Sequence, residues 1–202
     1  MFPLWGNGSA SFLRALSSEL VKRGHDIAIV APDKRKLTGV KHYVVNPPQM
    51  GVFVGHPELP KAKRFDEMNG KELGGIYAAY LKTSIEAVAD FNPEIIHVFH
   101  TAFLPGIARV VKILFGIKFI ITTHGSDLSY LVKDRRFLGL INDANKVARF
   151  ITANSDFTRK WYLDMFGDYL RHKSTVIMGG VNLEDYKKDP LELDVINNRY
   201  GI

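Results

Sequence analysis

The sequence contains no cysteine. Disulfide staples, thiolate metal sites and thiol nucleophiles are therefore excluded. It also lacks a long apolar run. The longest, Ile107 to Ile121, is interrupted by Arg109, Lys112 and Lys118, whereas a membrane-spanning helix needs roughly 20 uninterrupted apolar residues. The opening residues Met1-Phe2-Pro3-Leu4-Trp5 hold neither a charged n-region nor an apolar h-region. No signal peptide is expected, and a cytoplasmic location is the expectation that follows. No internal repeat and no low-complexity tract is visible.

What is present is ordinary for a globular chain. Of 202 residues, 46% are hydrophobic and 11% aromatic, enough for one core at roughly 100–200 residues per domain. Lys and Arg number 27 against 21 Asp and Glu, a net charge of +6. The cations lie in separate loops without interleaved aromatic rings, so nucleic acid is not an expected partner. One stretch, Leu59-Pro60-Lys61-Ala62-Lys63-Arg64-Phe65, mixes basic and apolar side chains. It carries a secondary expectation of peripheral contact with an anionic lipid surface.

Short β-branched runs alternate with longer amphipathic ones. Strands are expected at Ile27–Val30, Ile95–Phe99, Phe119–Thr122, Phe150–Ala153 and Thr175–Met178, with a weaker one at Tyr43–Val45. The runs are apolar throughout, as in parallel strands covered on both faces. Helices are expected from Gly8 to Arg23, Lys71 to Phe91, Ala102 to Phe115, and from Ser155 to the stop at Gly167. Asn7 or Ser9 can cap the first and Ser155 the last. The alternation predicts an α/β fold, a Rossmann-like open parallel sheet with helices on both faces. Pro32 to Gly70 reads as a long loop with at most one or two short strands. The loop Trp5-Gly6-Asn7-Gly8 enters a helix with no strand ahead of it, and Leu191 to Tyr200 begins another amphipathic segment. The expectation is a piece of a larger protein whose first strand is missing.

The chemistry-bearing residues gather where the expected strands end. Gly6-Asn7-Gly8-Ser9 opens a helix, where glycines let backbone N–H groups approach a phosphate. The sequence half-matches a dinucleotide fingerprint, with Ser11 in place of the third glycine; Asp26 or Asp33 would then be the ribose ligand of a nicotinamide oxidoreductase. His100 and His124 each end a strand, the edge at which open α/β sheets bind ligands. His97 reads as a packed core histidine. Asp127 reads most simply as a helix cap, as does Ser155, with Asn154 in a turn beside it. Gly179-Gly180 follows the last strand. No His-Glu-x-x-His pattern supports a metal. The convergence of small and polar residues on several strand ends says more than any one of them.

Taken in order, these segments resemble family 4 glycosyltransferases. Gly6-Asn7-Gly8, the helix ending Lys22-Arg23-Gly24-His25-Asp26-Ile27, Pro93-Glu94-Ile95-Ile96-His97-Val98-Phe99-His100, Thr123-His124-Gly125-Ser126-Asp127-Leu128, Ala153-Asn154-Ser155 through Phe166-Gly167, and Val176 to Tyr186 are each similar to a family segment. Gly179 stands where the family has Asn, and Asn182 where it has Asp. The resemblance implies one half of a GT-B architecture. Residues 1–186 would be the acceptor-side domain and 187–202 the hinge and start of an absent C-terminal, donor-binding domain. It implies sugar transfer from a nucleotide-sugar donor to a glycan, lipid or small-molecule acceptor, with retained configuration, no metal and no cofactor. It places Gly6, Asn7 and Gly8 against the donor diphosphate and His124 beside the donor sugar. His100, Asp127, Asn154 and Ser155 fall on the acceptor side, and Gly180 and Asn182 in the hinge. A non-catalytic acceptor- or lipid-binding subunit that needs a partner chain is the alternative of a different class.

Overall fold

The computed structural model describes residues 4–5, 7–55, 59–180 and 190–201. Helix α1 (Gly8–Lys22) leads into strand β1 (Ile27–Ala31), and β2 (Val40–Val44) pairs with β1 in parallel, Ile27 opposite Val40. Two-residue strands β3 (Gly51–Val52) and β4 (Lys63–Arg64) pair with each other. Helix α2 (Gly70–Phe91) crosses to β5 (Ile95–Phe99); α3 (Leu104–Phe115), β6 (Lys118–Thr123), α4 (Ser126–Lys133), α5 (Leu138–Val147), β7 (Phe150–Ala153), α6 (Asp156–Phe166) and β8 (Ser174–Val176) follow. Helix α7 (Pro190–Tyr200) is the last described element. Strands β5, β6, β7 and β8 form one parallel ladder in that order, and β1–β2 a second.

Local chemistry explains the boundaries. Asn7 caps α1, its side chain accepting the Ala10 N–H at 2.8 Å. Asn69 and Glu72 form a reciprocal capping box on α2, which ends at Asn92 in the left-handed region. Ser155 caps α6 by accepting the Thr158 N–H at 3.1 Å. Helix α3 starts at Leu104 rather than Ala102, with Pro105 in its first turn, where a missing N–H costs nothing.

The two faces of the large ladder differ. Val98, Phe119, Ile121 and Ile151 are buried in one cluster with Ile76 of α2, Ile107 and Val111 of α3, Ile141 of α5 and Tyr162 of α6. Side chains alternate along a strand, so His97, Phe99 and Thr122 point the other way. There Phe12 of α1 meets the Phe99 ring at 5.9 Å.

Several expectations need correction. The segment from Pro32 to Gly70 holds three strands and a 3-10 turn at Phe65–Glu67, because two-residue strands carry no periodicity to read. The last strand stops at Val176. Asp127 is not the cap of α4: Gly125 occupies that position with φ 92°, and Asp127 lies inside the first turn. Gly6, Asn182 and the expected domain boundary at residue 186 lie outside the described residues.

Candidate active site

A cavity of about 510 Å³ opens beyond the C-terminal ends of β5, β6 and β7. Asn7, Gly8 and Ser9 at the start of α1 form part of its wall, together with His100, His124 and Asn154. Ser155 and Asp127 do not line it, and Gly179 does where Gly180 does not. Among the described residues lining it, none is Asp, Glu, Lys or Arg.

His124 follows β6. Its ring stacks on Phe99 with centroids 5.8 Å apart and an interplanar angle of 18°, and meets Phe12 edge-on at 5.9 Å. Its Nε2 is buried without a hydrogen-bond partner among the described residues. His100, after β5, is 4% exposed and has φ 80°, a conformation costly for a residue with a Cβ. Its N–H bonds the Thr122 carbonyl at 2.9 Å, and its Nδ1 is likewise without a partner. The two imidazole centroids are 5.0 Å apart.

Asp127 holds both loops. Fully buried, its carboxylate accepts the Thr101 N–H at 2.6 Å, the His124 N–H at 3.1 Å, the Leu128 N–H at 3.1 Å and the Thr123 hydroxyl at 3.1 Å. One side chain thus fixes the residue after His100 and the backbone of His124 itself. Its place in the first turn of α4 also puts negative charge at a helix N-terminus, where the dipole favours it.

Beneath the cavity a polar row crosses the sheet. His97 Nε2 lies 2.6 Å from the Thr122 hydroxyl, which lies 2.6 Å from that of Thr152. Burial drives the His97 imidazole down to about 4 and that of His100 to about 3, and holds His124 below its ordinary value. All three rings are neutral in the folded protein at neutral pH.

The pH dependence of stability follows, with its sign. In the unfolded chain these rings protonate near 6.5; in the folded one they do so only at lower pH. The unfolded state therefore binds more protons as pH falls below 6.5, and stability declines from there toward pH 4. Each ring contributes a slope of up to about 1.4 kcal/mol per pH unit. Urea denaturation between about pH 7 and pH 5 should show this loss. A constant unfolding free energy across that range would contradict the buried, neutral assignment.

The other wall of the cavity is aromatic and escaped the sequence reading. The Phe53 ring lies 4.9 Å from His100 and 5.0 Å from Phe65, which lies 5.6 Å from Phe103. A Cβ on Gly51 would fall 2.2 Å from the Phe65 ring, so only glycine lets that ring seat. Arg136 fixes the segment from outside, donating to the Phe65 carbonyl at 3.1 Å while paired with the buried Asp134. The only signal in the sequence was the aromatic residues themselves.

Two sequence expectations meet engaged side chains. The Asp33 carboxylate, which a dinucleotide-binding reading requires, accepts the Leu4 N–H at 2.9 Å and the guanidinium of Arg35 at 3.0 Å. Asp26 is exposed at the opposite end of β1. In the basic stretch, Lys63 pairs with Glu72 at 3.0 Å, and Arg64 with Asp66 at 2.9 Å. No helix among the described residues is long and apolar enough to cross a membrane.

Residues 6–185 match the family profile described as Glycosyltransferase Family 4. No curated protein matches the chain. Among solved structures, the crystal structure of Anabaena Alr3699/HepE in complex with UDP is similar, with a TM-score of 0.55 at 14% sequence identity. The match covers 96% of this chain and 47% of that one, so the chain spans about half the length of that structure.

Proposed function

The chain belongs to glycosyltransferase family 4, and from that premise we propose that it is the acceptor-side half of an enzyme transferring a sugar from a nucleotide-sugar to an acceptor hydroxyl. The observation that carries this is the meeting of His124 and the start of α1 on one cavity at the strands' C-terminal edge. The anomeric C–O bond to the diphosphate breaks, the acceptor oxygen bonds the anomeric carbon, and the hydroxyl proton leaves with the diphosphate. Charge grows on the leaving phosphate and on the sugar ring. An α-helix leaves its first N–H groups without intrahelical partners; Asn7 takes that of Ala10, and Gly8 and Ser9 border the cavity where phosphate charge would develop.

His124 serves as a neutral hydrogen-bond partner through Nε2, placed beside the donor sugar. With configuration retained, the acceptor oxygen would take the face of the sugar from which the diphosphate leaves, in a site that the second domain completes. The His100 and Asn154 side of the cavity would receive the acceptor, with Asp127 acting through the loops it holds. Ser155 would act only by starting α6. Gly180 and Asn182 would lead to a second, donor-binding domain. The reaction assigned here uses no metal and no cofactor, and the enzyme works in the cytoplasm.

The donor would be shared between two domains, so the 202-residue chain alone is expected to bind nucleotide-sugars weakly, with a dissociation constant roughly in the millimolar range, and to transfer nothing. Calorimetric titration with UDP-, GDP- and ADP-sugars, and a turnover assay, test this. Multiple turnover by the isolated chain would refute the division of labour.

A further inference from the structure

The half-cavity described above is chemically lopsided. On the α1 side it is lined by Asn7, Gly8 and Ser9 and by His124, whose Nε2 has no partner among the described residues. On the side of β3 the wall is Gly51, Val52, Phe53 and Val54, backed by Phe65 and Phe103. The apolar character continues to the rim. Val54 and Ile177 line the cavity and are 66% and 53% exposed. Large apolar side chains at a cavity mouth form a surface for an apolar ligand or for the second domain to cover. Set into this wall is His100, itself 4% exposed, with an Nδ1 that has no partner among the described residues. A buried polar atom left unpaired is costly. The centroid of the His100 ring lies 4.9 Å from that of Phe53.

Charge narrows the choice further. None of the described lining residues is ionised at neutral pH. Among the described lining residues no charged side chain is present to pair with a phosphorylated or carboxylated acceptor, or with an amine.

We infer that the acceptor is an uncharged alcohol carried on an apolar body, an alkyl chain or an aryl ring, that packs against Phe53 and Val54 with its polar end toward His100. This rests on the glycosyltransferase reading and narrows its acceptor from any glycan, lipid or small molecule to an amphipathic one. A free oligosaccharide is held largely through its hydroxyls, and the β3 side offers few side-chain partners for them.

The test uses three probes with one sugar head: methyl, phenyl and n-octyl β-D-glucoside, the last kept below its micelle concentration. Their affinities for the complete protein are measured by calorimetry, with UDP, GDP and ADP titrated in parallel. Phenyl or octyl glucoside should bind at least tenfold more tightly than the methyl compound, and which of them leads distinguishes an aryl from an alkyl body. Val54→Asp, at an exposed site that does not threaten folding, should weaken the favoured probe at least fivefold and leave nucleotide binding unchanged. Equal affinity for all three probes, or a preference that Val54→Asp does not touch, would overturn the inference. Nucleotide binding in that case would leave the glycosyltransferase reading standing. Tight probe binding with no nucleotide bound would support the apolar site and count against the donor assignment.

Discussion

Replacing His124 with alanine should lower kcat in the complete enzyme by about a hundredfold, the typical cost of removing one positioned hydrogen-bond partner from a developing charge. The acceptor KM should move little, because Nε2 is assigned to the donor side. His124→Gln returns an amide to similar reach and should recover part of the loss. Burial holds the ring neutral, so kcat should show no inflection near pH 6.5. Steady-state rates across about pH 6 to 8 check all four statements. A rate that follows imidazole protonation near 6.5 would instead make His124 an acid or base, and the account of a neutral partner would fail.

Asp127→Ala should be the most destabilising single change in the site. It strips partners from three backbone N–H groups and one hydroxyl, all drawn to one buried carboxylate. At about 1–3 kcal/mol for each buried group left unsatisfied, and with imperfect additivity, the expected loss is about 3–5 kcal/mol by urea denaturation. Asp127→Asn keeps the volume and an acceptor oxygen, so it should lose less. Yet its amide hydrogens would face donors, so His124 should still be displaced and activity still fall. A change in stability below about 1 kcal/mol for the alanine variant would show that the two loops do not depend on this carboxylate.

The parts of the fold that depend on neighbours in sequence were legible without coordinates. Strands β5 and β7 were read to the residue, because an apolar run bounded by Asn92-Pro93 or by Asn154-Ser155 admits little else. Asn7 or Ser9, of which Asn7 is the cap, and Ser155 were read as helix caps for the same local reason. Interactions across long separations were not legible. Lys63 and Arg64 pair with Gly51 and Val52 through strands two residues long, and that pairing places Phe53 beside His100. Asp127 had the spacing of a cap, yet its shortest hydrogen bond reaches Thr101, 26 residues away. Arg136 gave no sign that it would grip the Phe65 carbonyl, 71 residues distant. Of the site, the strand-end residues His100, His124 and Asn154 were legible by position. The aromatic wall was visible only as composition.

The claim that joins sequence, fold and function is that a nucleotide-sugar lies in the cavity between the start of α1 and His124. Amide-resolved NMR titration with UDP-, GDP- and ADP-sugars tests it most directly. The account predicts that the amides of residues 7–9 and 124–126 shift together on one binding curve for at least one donor. Shifts confined to other parts of the chain, such as the Asp33 end of β1, or no shifts at millimolar donor, would contradict it.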